Sequence, residues 1–595
     1  MISSLIYVSI FGLMYMLILL YPKSDERLNL IKQVIMSFGV LICIIALPCF
    51  ILKVMGITLN LNNLSIVNAV IAFFLFLKIK KRGRLQQFFL DRTDLINVLI
   101  LSCLFVVLFI HIFSIDLRLC YLNSDIANHF NYALSFVEGD NSDVGIMYLT
   151  ALINATVINI FKPLMDPIYY YKAFIVGDAL INWFGLMMFY VTLTHFVRRN
   201  VFKRFCVIFS VLFGLGYPIY SYLIGGFVYW SLGATLIAFL IYILDIYSGN
   251  RTVRKEIEIL TILAFMAIGM SYTLFVPCVF AASFVYFVSV LKMEGNLLRK
   301  ESVFLFLKMY IIPSLFIIMG IVFWMMRGQI NLGSLKVDGG IYSNLYSDFW
   351  PLIPFVLYNL FAGGKRGKNC NQIFLLIFGI ITAFMLMCCH MGIISRYYYY
   401  KMYYPLWIFA WIETAVAVDD MIQRKEKFLI SYVITCLVIL GIGLTPIDEK
   451  IVEKNSKMQT VEGTVSIFPI YGFMLPYIVN GFAPYDTEDN LNLYKYVVEV
   501  LQNKQSEVKN IPCIASKDRQ GDCFWYSAFT RNYSIGYFQL IREKGLSDEV
   551  TDKMETELDY FVMFKTSDIY KENIDRLQEY NIEYENTTTV IYTTH

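Results

Sequence analysis

An aspartate and a histidine one helical turn apart stand in the stretch FSIDLRLCYLNSDIANHFNYALSFVEGDNSDVG. Asn123-Ser124 read as a helix N-cap, and the run from Ile126 to Val137 has a helical period. Ile126, Phe130, Ala133 and Val137 fall on one apolar stripe. Asp125, Asn128, His129, Tyr132 and Ser135 fall on or beside the opposite face. Residues four apart on a helix are neighbours, so the Asp125 carboxylate and the His129 imidazole can act on one substrate group. A carboxylate so placed suits general-base work. The plainer alternative is that Asp125 only complements the helix N-terminus and His129 has no chemical role. Asp116, Asp140 and Asp143 compete for the role of base in the same stretch.

A second cluster reads HMGIISRYYYYKMYYPLW. Arg396 and Lys401 stand there among six tyrosines, Tyr397 and Tyr400 included. Cations in such a setting can hold a phosphate, arginine through a bidentate fork. Tyrosine faces suit a sugar ring or an apolar chain. The alternative is an aromatic belt at a membrane interface with two snorkelling cations.

The elements that must position these residues are membrane helices. Of 595 residues, 58% are hydrophobic and 16% charged, with a mean hydropathy of +0.60. Soluble chains carry about 25% charged residues. This composition excludes a soluble cytosolic enzyme, and its apolar fraction excludes disorder. A net charge of +3 without a basic stripe argues against nucleic acid as a partner. The 12 cysteines lie mostly inside apolar runs and form no C-x-x-C pattern.

Apolar runs near 2–20, 34–52, 64–78, 95–113, 168–194, 205–224, 227–247, 257–274, 276–291, 303–326, 349–363, 372–392, 404–418 and 428–446 predict about 14 spans. The first reads as a retained span, since no basic segment precedes it and no small-residue cleavage site follows. Lysine and arginine concentrate in alternate loops, including Lys78–Arg84, Arg198–Arg204, Arg251–Lys255, Lys365–Lys368 and Arg424–Lys427. The tally is roughly 25 in that set against roughly 7 in the other, which places the basic set in the cytoplasm. Both termini, residues 114–167 and everything after about 447 then lie outside. The apolar stretch Gly145–Phe161 reads as an interfacial or re-entrant helix, because a span there would put the later basic loops outside.

Charges return after Thr445-Pro446, so residues 1–446 read as a transmembrane domain and 447–595 as an extracytoplasmic α/β domain. In the latter, Asp489–Gln502 and Ser567–Tyr580 read as helices. Ile511–Ala515, Tyr560–Phe564 and Thr589–Tyr592 read as strands. Cys513 and Cys523 are its cysteines, paired in an oxidising compartment or free. Trp525 and Tyr526 are read either as glycan contacts or as core. Asp178 and Glu413 fall within spans, where acids are costly and often functional, or pair with a neighbouring helix.

An outside loop with an acid, an amphipathic helix, an interfacial helix closed by proline, then a span ending in arginines: this order over residues 90–446 resembles the GT-C superfamily of multi-span glycosyltransferases. The resemblance implies a mainly α, GT-C-like polytopic fold and a plasma-membrane enzyme acting at the outer face. It implies transfer of a sugar from a polyprenyl-phosphate carrier to a cell-wall or surface glycan. The family's essential acid matches Asp125, and the D-x-x-x-H spacing to His129 is similar to some bacterial members. His129 would assist Asp125, and Arg396 and Lys401, with Tyr397 and Tyr400, would hold the donor phosphate. No metal is required by this expectation; a divalent cation held by loop carboxylates is the variant some members use. The rival readings are a surface-polysaccharide polymerase or ligase of another fold, and a transporter or lipid flippase.

Overall fold

The computed structural model describes residues 1–22, 27–121, 125–139, 148–197, 200–216, 228–249, 253–296, 299–326, 346, 349–362, 369–423, 447–448, 464–465, 484–502 and 510–594. Among these, nine helices are long and apolar enough to cross a membrane, from Ile2–Leu20 to Cys370–His390. The chain is a multi-pass membrane protein. The apolar stretch 257–291 forms two helices, Arg254–Ser271 and Phe275–Met293, broken at Tyr272–Leu274. The run at 349–363 yields only the ten-residue helix Ile353–Ala362. The expected span 428–446 and the second half of 205–224 lie outside the described residues.

Contacts sort the helix ends into two sets. At one end, Leu28–Asn29 pairs in parallel with Phe88–Phe89, Arg82 bonds Glu256, and Arg254 forks onto Glu294 at 3.0 and 2.6 Å. These are ends that the basic loops assign to one face. At the opposite end stand Tyr121, the helix Asp125–Glu138, the helix Leu149–Phe161, the start of Tyr170–Phe196 and the short helix Arg396–Lys401. Leu149–Phe161 is 13 residues, about 20 Å at 1.5 Å per residue, and too short for a hydrocarbon core of about 30 Å. It lies against Tyr170–Phe196, where Gly177 lets Asn154 close in: a Cβ at Gly177 would collide with the Asn154 Oδ1.

Residues 484–594 contain a four-stranded sheet in the order Cys513–Ile514, Tyr560–Phe564, Thr589–Thr593, Asn581–Glu585. The first pair is parallel and the others antiparallel. Alternate residues feed two cores. Val562, Phe564 and Ile591 meet Leu493, Tyr494 and Tyr526 on one face. Phe561, Met563 and Val590 meet Ile541, Val550 and Met554 on the other. Burial on both faces explains why Tyr560–Phe564 reads as a continuous apolar run. The expected helix Ser567–Tyr580 is split at Asn573 into Asp568–Glu572 and Ile574–Leu577. Cys513 and Cys523 are both buried free thiols.

Candidate functional site

The helix Asp125–Glu138 forms where the period placed it. Its N-cap, Asn123-Ser124, lies outside the described residues. Its apolar stripe does not face lipid. Ile126, Phe130 and Ala133 are buried within protein. The Phe130 ring lies 5.3 Å from Phe174, 6.0 Å from Trp525 and 5.5 Å from Phe529. Trp525 and Phe529 belong to the helix Gln520–Thr530 of the C-terminal part. A stripe of this period needs an apolar partner, and here the partner is a folded neighbour instead of a bilayer. Trp525 and Tyr526 are both fully buried, which makes them core residues.

The other face of the helix carries the chemistry. Asp125 is exposed at its edge and His129 is half-buried. The His129 ring sits 4.9 Å from Tyr229 and 5.9 Å from Tyr132. Lys401, distant in sequence, comes to the same place and is 4% exposed. Its Nζ lies 4.9 Å from the Trp230 ring, 5.0 Å from Tyr272, 5.7 Å from Tyr398 and 6.0 Å from Tyr229. Aromatic faces attract a cation through the ring quadrupole, which offsets part of its lost hydration. Tyr229 thus touches both the imidazole and the ammonium.

The three titratable groups perturb one another. Burial draws the Lys401 ammonium down to about 7, and the Asp125 carboxylate opposes that. Desolvation raises Asp125 above the ordinary carboxylate range, and Lys401 pulls it back. Burial lowers His129 to about 4, with the Lys401 charge adding to the effect. At neutral pH the site therefore holds a neutral imidazole and a lysine near the midpoint of its titration.

The remaining expected residues are placed differently. Arg396 is exposed. Five positions on a helix turn about 140°, so Arg396 and Lys401 leave Arg396–Lys401 on different faces. Tyr400 packs on Tyr346 at 5.9 Å and on Tyr399 at 5.0 Å. The Tyr397 side chain, Asp140 and Asp143 lie outside the described residues, and Asp116 is exposed on its loop. Glu413 accepts hydrogen bonds from Asn359, Asn371 and Gln372, an amide cage far from the Asp125 end of its helix. Asp178 accepts from the Tyr121 hydroxyl at 2.8 Å and from Asn154 Nδ2 at 2.7 Å, tying the acid loop to the interfacial helix and the span.

Sequence reasoning missed the aromatic floor of Tyr229, Trp230 and Tyr272, since isolated aromatics in spans carry no distinguishing period. It also missed Lys53, buried at the end of Leu30–Val54, 4.7 Å from the Tyr148 ring and 5.2 Å from Phe136. A lysine at the non-basic end of a span is a readable signal. Tyr148 also lines a narrow apolar crevice with Phe50, Gly269, Met270, Phe316 and Ile317. Among the described residues no group of three or more His, Cys, Asp or Glu could hold a metal ion.

No family model and no curated protein matches the chain. Among solved structures, the crystal structure of ArnT from Cupriavidus metallidurans bound to undecaprenyl phosphate is similar to it. The TM-score is 0.48 at 11% sequence identity, over 84% of this chain and 98% of that one.

Proposed function

We propose that the chain is a membrane glycosyltransferase of the GT-C type, moving a sugar from a polyprenyl-phosphate carrier to a glycan hydroxyl at the outer face of the plasma membrane. The observation that carries this reading is the meeting of Asp125 and His129 with Lys401 at the end of the helices opposite the basic loops. A base and a phosphate-binding cation are the two groups that transfer from a phosphate-linked sugar requires. A transporter would place its polar site near the midplane; this cluster stands at one end.

In this scheme the acceptor oxygen attacks the anomeric carbon while the bond from that carbon to the phosphate oxygen breaks. The acceptor proton passes to the Asp125 carboxylate. The departing polyprenyl phosphate takes the electron pair, and protonated Lys401 stabilises its charge. Neutral His129 hydrogen-bonds the acceptor or Asp125 and is not itself the base. Arg396, exposed near the same end, meets the phosphate on approach. Lys401 supplies the charge without a metal; an alternative arrangement adds a divalent cation held by loop carboxylates. Outward placement of this end and of both termini follows from the lysine and arginine bias.

The experiment is incubation of the purified full chain with a panel of polyprenyl-phosphate sugars, wild type beside Asp125→Asn, with and without chelator. Release or transfer of sugar by the wild type and not by the variant is the expected outcome. No turnover of any donor sinks the reading, and loss of turnover on chelation selects the metal-assisted variant.

A further inference from the structure

The loop that presents Asp125 is held in a conformation it would not adopt alone. Ser114 and Leu117 both have φ of +56°. A leucine in the left-handed region is an outlier, and such residues persist only where their surroundings over-determine them. Here the surroundings come from the far end of the chain. Asp486, 6% exposed, accepts hydrogen bonds from Arg118 Nε at 3.1 and 3.2 Å, from the Leu119 backbone N–H at 2.9 Å and from the Tyr171 hydroxyl at 2.9 Å. Its neighbour Tyr485 donates its backbone N–H to the Leu119 carbonyl at 3.1 Å. Two residues on, Tyr121 lies under the Trp525 ring at 6.1 Å.

The other end of the acid-bearing helix is held from the same part of the chain. Arg531 donates to the Asn131 carbonyl at 3.1 Å, to Ser135 Oγ at 3.2 Å and to Glu138 at 2.6 Å. The helix is thus pinned before its first turn by Asp486, along its apolar stripe by Trp525 and Phe529, and at its last turn by Arg531. A carboxylate buried with three donors around it is a rigid fixture, because removing it strands the buried Leu119 N–H and Tyr171 hydroxyl.

We propose that Asp486 is a positioning residue: through it the C-terminal domain holds the Ser114–Tyr121 loop so that Asp125 faces Lys401. This rests on the glycosyltransferase reading, and it gives the C-terminal domain a part in turnover in place of a glycan-binding surface. Asp486 touches no reacting group, so its effect belongs in kcat. A misplacement of about 1 Å at a reacting group costs roughly 10²-fold in rate.

The test uses the full chain in lipid nanodiscs, with kinetics on a polyprenyl-phosphate sugar and hydrogen exchange over residues 113–121 and 125–138. For Asp486→Ala, kcat should fall roughly 10²-fold with donor KM within about threefold. Exchange should rise in both segments while the sheet around Val562 stays protected. Asp486→Asn should recover a large part of kcat, because its amide oxygen can still accept from Leu119. An unchanged kcat in folded Asp486→Ala, or a rise in KM alone, overturns the proposal. Equal loss in the Asn and Ala variants, with the sheet unprotected, also overturns it by making the role merely structural. If Asp486→Ala does not fold, Arg118→Gln combined with Tyr171→Phe removes two of the three donors and should act in the same direction; wild-type kcat there overturns the proposal. Should the wild type turn over no donor, the enzymatic reading fails by itself; unaltered exchange in both segments of the variants would then separately show that Asp486 does not hold the loop.

Discussion

Two aspartates, Asp94 and Asp125, each share an environment with a lysine, and the contrast between them separates architecture from chemistry. Asp94 begins a span at the basic end and is completely buried. It accepts from the Tyr190 hydroxyl at 2.6 Å and from Asn29 Nδ2 at 2.5 Å, and Lys32 Nζ stands 3.9 Å away. Asn97 closes the network by donating to Tyr190. That network joins three spans deep in the protein. Asp125 is exposed at the edge of its helix, and the lysine that acts on it is sheltered under aromatic rings. An exposed carboxylate can be reached by an acceptor hydroxyl, which a carboxylate buried at the start of a span cannot.

The comparison breaks most sharply on Asp125→Asn. A general base contributes about 10²–10⁴-fold, so transfer should fall by that factor while thermal stability and donor binding hold. Unchanged transfer would make Asp125 a helix-terminus residue and nothing more, since Asn caps about as well as Asp. Asp94→Ala should show the reverse. Stripping one partner from a buried pair costs about 3–5 kcal/mol, read as a lower denaturation midpoint, with unaltered turnover per folded molecule. If Asp94→Ala is as stable as wild type, the two carboxylates are not the opposites described.

Lys401 sharpens the contrast next. Lys401→Gln should weaken donor binding about tenfold or more, the loss of a charge-assisted bond worth about 1.5–3 kcal/mol. The wild type adds a pH signature. Lys401 in the free protein titrates at about 7. A bound phosphate favours its charged form, so binding above neutrality takes up a proton. Donor affinity should be full below about pH 7 and fall as pH rises, by up to roughly tenfold per unit. Lys401→Gln should lose that slope; a slope that survives belongs to another group. His129→Ala should cost less than either change, because an imidazole lowered to about 4 is a weak base and assists by hydrogen bonding. Arg396→Ala should be mildest, since its side chain is exposed and leaves the helix on another face from Lys401. A larger effect at Arg396 than at Lys401 would move the phosphate site outward.

The two clusters that the sequence singled out were each half legible. Asp125 and His129 could be paired from the sequence because four residues on a helix are always one turn apart. Arg396 and Lys401 look equivalent in a string of tyrosines, yet helical geometry sends them apart and buries only the second. The apolar stripe of Ile126, Phe130 and Ala133 was visible, but not its partner. A hydrophobic period states that a face is covered without stating by what.

What the sequence determined by itself is what depends on neighbours along the chain. That covers the long apolar helices, the alternation of basic loops, the turn relating Asp125 to His129 and the strand Tyr560–Phe564. Hydrophobic transfer and backbone periodicity are local sums, and a single sequence contains them. Only the tertiary structure decided that Lys401 meets Asp125, that Tyr229, Trp230 and Tyr272 floor the site, and that Asp486 grips the acid loop from the far end of the chain. Those pairings depend on packing between surfaces distant in sequence. Many residues satisfy the same local pattern, and shape complementarity alone selects among them.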